Sequence, residues 1–299
     1  MQTQDLNILV LLREVTDPRP PAQIAEEGSM IRDRGLRRLV NPADLEALEE
    51  ALLLADAGAA RVTALALGPA RCDDTLRLAL AMGAQRAIRV WDHALADAYT
   101  GATVNILTRC MSILQTGALF TGNRLLDRGA EPSPAMAAAA MGVPSCDAVV
   151  ALRQGGGKTL EVTRKGDRGS RQRIEIPVPC AVLFEGGVRE PRYPDMDEVL
   201  AALESDVELW GLPELGMPVR ALGAGAAHLL PKGYAFPRPS PLRVTTPDAD
   251  LPAYERILAL LSGGIQPREG RMHYGSAEEV AAGLFQVLCR EGLVPGAEV

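Results

Sequence analysis

The sequence predicts an α/β fold, a mostly parallel sheet with helices on both faces, and three observations carry that expectation. Short apolar runs alternate with helical patterns along residues 7–90, the signature of strand–helix–strand units. The apolar residues are mostly Ala, Leu and Val, which let helices pack closely against a sheet. Aromatics make up only 4% of the 299 residues, so stacked rings cannot be the basis of the core.

The first apolar run spans residues 7–12, and a helix follows over 41–57. Asn41 stands before Pro42, a capping side chain ahead of a proline at the first helical position, and Glu46, Glu49 and Glu50 follow on the same element. A run at 62–67, a helix at 70–82 and a run at 87–90 complete a βαβαβ unit. Next come a helix over 103–114, a run at 118–121 and a short helix over 134–141 ended by Gly142. Strands at 148–153, 160–164, 171–176 and 180–184, joined by glycine turns, are expected to form an antiparallel extension of the sheet. An acidic helical piece covers 195–209, and five prolines within 231–250 argue for an extended arm. Helices over 251–261 and 277–291 close the chain, the second opened by a Ser276/Glu279 capping box. Residues 1–210 are therefore expected to form the α/β domain and 211–299 an arm with terminal helices.

Composition excludes several functions. The formal charge is −7, and no stretch interleaves Lys or Arg with aromatics, so a nucleic-acid groove is not expected. The apolar run at 6–12 is too short for a signal segment or a bilayer span, which points to a cytoplasmic protein without membrane insertion. Five cysteines without a C-x-x-C pair read as buried free thiols, and three scattered histidines leave no metal set. Gly157-Lys158-Thr159 has Leu152 where a phosphate loop needs glycine and reads as a hairpin turn. No general base or nucleophile set stands out, so no catalytic residues are expected. Open α/β sheets bind ligands at strand carboxyl ends, which here are residues 12–18 and 67–70, with Asn41-Pro42-Ala43-Asp44 between them.

The stretch from Ala66-Leu67-Gly68-Pro69 into Leu78-Ala79-Leu80-Ala81-Met82-Gly83-Ala84 resembles the β subunit of electron transfer flavoproteins. Ile8-Leu9-Val10 with Arg13 and Asp17, Asn41-Pro42 with Glu49-Glu50-Ala51, Glu190-Pro191-Arg192-Tyr193, and Gly275-Ser276-Ala277-Glu278-Glu279 are similar to that family in the same order. The resemblance implies a Rossmann-like, adenine-nucleotide-binding sheet and a partner α subunit that carries most of the FAD site. The β subunit covers the flavin and binds AMP in the common carriers, or a second FAD in the bifurcating ones. Carried over, the cofactor-binding residues are Leu11, Asn41, Pro42, Ala43, Asp44, Leu67, Arg124, Asp127, Arg128, Ser133 and Ala135.

Three departures mark the chain. Where the family has a polar, glycine-bearing stretch that binds phosphate, this chain has Pro132 and Pro134 without N–H donors and Glu131 adding a like charge. Ser133 there reads as a helix cap, donors remain at Ala135, Met136 and Ala137, and Arg128 is the candidate phosphate ligand. Pro18 and Ala43 stand where the common carriers set aromatics against the flavin. Met196 stands where the family's docking loop has a leucine, with Tyr193, Val199 and Leu200 beside it as candidate docking residues. Residues 190–210 hold seven acids and one base, so a flavin dehydrogenase with a basic docking surface is expected, and Val199, Leu200 and Leu203 are expected to face inward. The function implied is that of an electron carrier, not an enzyme, between a flavin dehydrogenase and a quinone-linked or other acceptor. The alternatives are a bifurcating carrier with FAD in this subunit and a structural subunit that has lost its nucleotide.

Overall fold

The computed structural model describes residues 6–20, 23–24, 31–32, 36–95, 100–156, 158–222, 247–261, 272 and 274–290. Its contacts divide the chain into two units, Met1–Phe236 and Pro237–Val299. The first begins with β1 (Leu6–Leu11), β2 (Glu14–Thr16), β3 (Gln23–Ile24), β4 (Ile31–Arg32), β5 (Arg38–Val40), α1 (Pro42–Asp56), β6 (Ala60–Leu67), α2 (Cys72–Met82), β7 (Arg86–Val90) and α3 (Thr100–Ile113). It continues through β8 (Ala118–Gly122), β9 (Arg124–Leu125), β10 (Gly129–Ala130), α4 (Ser133–Ala140), β11 (Ser145–Gln154), β12 (Thr159–Lys165), β13 (Arg171–Pro177), β14 (Cys180–Phe184), α5 (Met196–Glu204), β15 (Glu208–Trp210) and α6 (Leu212–Leu215).

Nine strands form the main sheet in the order β13-β12-β11-β14-β8-β1-β6-β7-β15. From β11 to β15 every neighbour is parallel, and β12 and β13 add the antiparallel extension. Alternation along β1 divides the core: Ile8 and Val10 face one apolar cluster with Ala47, Leu48 and Leu76, while Leu9 and Leu11 face another with Leu107, Ala137 and Ala138. Helices α1 and α2 thus cover one face, and α3, α4 and α6 the other. Phe120 and Phe184 meet edge to face, with ring centres 5.2 Å apart, on the α1 side.

Three expectations are corrected. Only β12 and β13 are antiparallel, because β14 is buried along its whole length and lies as a central parallel strand between β8 and β11. The acidic piece at 195–209 is not one helix. It is α5, opened by an Asp195/Glu198 capping box, followed by β15, which pairs in parallel with β7. The first unit also runs past residue 210, since Leu212, Leu215 and Leu222 are buried and Arg109 of α3 donates to the Leu215 carbonyl at 2.9 Å.

In the second unit, α7 (Ala253–Leu261) and α8 (Ala277–Arg290) are amphipathic. The Ser276/Glu279 box opens α8 as expected, with the Glu279 N–H 3.3 Å from Ser276 Oγ and the Ser276 N–H 2.9 Å from Glu279 Oε2. The proline-rich arm expected over 231–250 falls outside the described residues except for 247–250.

Candidate functional site

The chain leaves β1 for β6 on one side and returns through α3 to β8 on the other, so the strand order reverses at β1. At such a switch point the carboxyl ends of two neighbouring strands splay apart and leave a crevice. Here the crevice is closed by Arg13 and Asp44. The Arg13 Nη2 lies 2.6 Å from Asp44 Oδ1, and its Nε and backbone N–H lie 2.9 and 3.0 Å from Oδ2. Asp44 Oδ1 also accepts from Gly122 N–H at 2.6 Å and Thr121 Oγ at 3.0 Å, and Arg13 donates to the Gly122 carbonyl at 2.7 Å. Asp44 is fully buried and Arg13 nearly so. Burial opposes the Arg13 charge, but the Asp44 and Glu131 carboxylates more than offset it and hold the guanidinium above its ordinary pKa.

A second layer wires residues 124–131 onto this knot. Asn41 donates from Nδ2 to the Arg124 carbonyl at 2.9 Å and accepts the Leu126 N–H at 3.1 Å. Asp127 accepts the Thr16 N–H at 3.0 Å, while its other oxygen is buried with no partner among the described residues. Asn41 therefore does not cap α1, as expected from its position, because its amide is spent on the opposite loop.

The candidate cofactor residues sort by place. Leu11 is buried in β1, Leu67 is half-buried at the end of β6, Pro42 is exposed, and Ala43 packs against Gly122. The Arg124 side chain is exposed and only its backbone joins the network, and Arg128 is also exposed, its Nε 3.7 Å from Asp127 Oδ2. Ser133 is buried but is not the cap of α4: its hydroxyl donates to Glu131. Ala135 lines a cleft of about 250 Å³ with Asn123, Glu131, Pro132, Ser145 and Asp147. Of the donors expected at the start of α4, the Met136 N–H already bonds the Pro132 carbonyl at 2.9 Å. Sequence reasoning missed Thr121 and Gly122 as site residues, and it gave Arg13 no role. A lone arginine directly after an apolar strand was the available signal.

The segment expected to dock a partner is anchored on α1. The Glu46 carboxylate accepts the N–H groups of Gly187 and Val188 at 3.0 and 2.6 Å, and Arg189 pairs with Glu50 at 2.6 Å. Beyond this anchor, Tyr193 is 96% exposed and Met196 70%. Leu200 and Leu203 are also exposed, which corrects the expected orientation: Ala202 and half-buried Val199 turn inward where α5 packs on α2. Met196, Leu200 and Leu203 then line up at helical spacing as one outward apolar stripe.

An open, mostly parallel sheet with helices on both faces and loops gathered at its switch point defines a doubly wound α/β protein. The chain belongs to the electron transfer flavoprotein family, whose domain model, "Electron transfer flavoprotein domain", matches residues 29–214. It is similar to the electron transfer flavoprotein subunit beta of Clostridium acetobutylicum, 29% identical over 73% of this chain and 83% of that one. It is likewise similar to Protein FixA of Azorhizobium caulinodans, 30% identical over 71% of this chain and 77% of that one. With the caffeyl-CoA reductase-Etf complex subunit CarD of Acetobacterium woodii it shares 26% identity over 74% of this chain and 84% of that one. Among the described residues no helix is long and apolar enough to cross a membrane, and no His, Cys, Asp or Glu cluster could hold a metal ion.

Proposed function

We propose that this chain is the β subunit of a cytoplasmic, heterodimeric electron carrier. An α subunit holds most of the flavin, and a flavin dehydrogenase docks on α5 and delivers the electrons that pass to a quinone-linked or other acceptor. The observation that carries this reading is the exposed Met196-Leu200-Leu203 stripe. A soluble helix that leaves three large apolar side chains outward in a row, on a segment pinned by buried carboxylates, is suited to a partner's pocket. Asp195, Asp197, Glu198 and Glu204 surround it, which favours a basic partner surface and speeds encounter.

The FAD supplies the electron transfer chemistry when bound, and the β side of its pocket is aliphatic, through Pro18 and Ala43. The test is purification with the α subunit, flavin quantification, and reduction by the dehydrogenase for wild type and Met196→Glu. One flavin per heterodimer and loss of reduction in the variant are expected. Two flavins would replace this reading with a bifurcating carrier, and unchanged reduction would remove α5 as the docking site.

A further inference from the structure

The resemblance implies an AMP phosphate held at the start of α4, and the residues there do not fit one. A phosphate at a helix start is recognised by backbone N–H groups, a hydroxyl and a guanidinium. All three kinds of donor are present here, and all three are directed at a carboxylate of the chain itself. Glu131 Oε1 accepts the Ser133 N–H at 3.0 Å and also the Ser133 hydroxyl, and Glu131 Oε2 faces Arg13 Nη1 at 3.4 Å. The next helical position is Pro134, which has no N–H, and the Met136 N–H is taken by the Pro132 carbonyl. Ser133 is 1% exposed, so its hydroxyl depends on a protein partner, and Glu131 is that partner.

The adjoining cleft has the wrong charge for a phosphate. The charged residues that line it are Glu131 and Asp147, and Asp147 is already paired with Arg164 at 2.7 Å. A dianion entering here would face the Glu131 carboxylate, and repulsion between like charges in a part-buried site is strong.

We propose that Glu131 is an internal anion that takes the phosphate's place, so that this subunit closes its crevice without an adenine mononucleotide. The helix start keeps a negative charge on its positive end, and Arg13 keeps its second carboxylate. A ligand that the resemblance implies is replaced by a side chain two residues ahead of the hydroxyl it satisfies. The inference rests on the electron-carrier reading above.

The test is nucleotide content, which does not depend on electron transfer. Wild-type heterodimer is denatured and the released nucleotides are separated by chromatography; one flavin per heterodimer without AMP is expected, and a second flavin overturns the inference. One AMP per heterodimer overturns the inference and leaves the carrier reading standing, whereas a chain that associates with no flavin-bearing partner overturns that reading instead. In a second arm, AMP is titrated calorimetrically into wild-type and Glu131→Ala heterodimers. Saturable binding is expected only in the variant, where Arg13 Nη1 and the Ser133 donors are released. A folded variant that binds no AMP overturns the assignment to Glu131. The wild-type inventory decides the question even where the variant does not fold.

Discussion

Arg192 clamps Glu49 across 143 residues of sequence: its Nε lies 2.9 Å from Oε2, its Nη2 lies 3.0 Å from Oε1, and its backbone N–H adds a third bond at 3.1 Å. Two motifs that carry the family resemblance, Glu49-Glu50 on α1 and Glu190-Pro191-Arg192-Tyr193 before α5, are thus a single structural unit. The Glu49 carboxylate is almost fully buried while Arg192 is partly solvated. In Arg192→Ala the backbone bond survives and a buried charge loses its bidentate partner, at about 2 kcal/mol. Urea midpoints should fall accordingly, and amide exchange should quicken over 187–193. Unchanged exchange there would mean that the clamp does not hold the segment before α5.

The Arg13–Asp44 pair is the more deeply buried of the two, so its loss should be the more damaging. Asp44→Ala removes the acceptor for Arg13, Thr121 and Gly122 together and should destabilise the protein by about 3–5 kcal/mol. Replacing both charges with apolar residues, Arg13→Met with Asp44→Leu, should recover part of that loss, because the fully buried Asp44 charge is removed together with its partner and Glu131 keeps its Ser133 donors. A double variant no more stable than Asp44→Ala alone would show that the hydrogen bonds to β8 outweigh the charge pairing.

Gly122 is fixed by close approach. A Cβ there would lie 2.6 Å from Ala43 Cβ, 2.9 Å from Asp44 Oδ1 and 3.0 Å from the Ala43 backbone carbon. Gly122→Ala should therefore push the start of α1 off β8 and lower stability by about 1–3 kcal/mol. The same exchange at Gly156, where an added Cβ meets nothing within 4 Å, is the control.

The pattern of the main sheet is legible because β1, β6 and β8 are apolar runs bounded by helices with a different period. Strand direction in β14 is not, since a strand buried on both faces shows no alternation to place it. Three-residue β15 carries too little pattern to separate from the helix before it. At the site, Asn41 and Asp127 are recognisable by type and position, but the role of Asn41 changes because its partners lie 83 and 85 residues away. Arg13 and Glu131 meet across 118 residues, a contact that only the folded sheet creates.

Thiol chemistry offers a check on the core. Burial pushes the Cys72, Cys110 and Cys180 thiols up to about 12 and raises Cys146 as well, while Cys289 is half-buried on α8. At pH 8 the first four should resist alkylation in the native protein and Cys289 should react first, as peptide mass spectrometry would show. Modification of Cys110 at the rate of Cys289 would contradict the packing of α3 on the sheet.

The edge strand β15 is held partly by charge. Arg86 reaches Glu208 through Nε at 2.5 Å and Nη2 at 2.7 Å, and its guanidinium also lies 5.6 Å from the centre of the Trp210 ring. The hydrogen bonds from Arg86 hold the Glu208 carboxyl below its ordinary value of 4.5. A carboxyl depressed by folding stabilises the native state fully above its unfolded value and loses that contribution as pH falls through the folded one. The pair should therefore weaken only below about pH 4.5, and because both side chains are well solvated the effect should stay under about 1 kcal/mol. In a Trp91→Phe background, Trp210 fluorescence should report loosening of β15 over that acid range, and Glu208→Gln should abolish the pH dependence. The same profile in the Gln variant would assign the acid response to other groups and leave β15 held by its backbone pairing with β7.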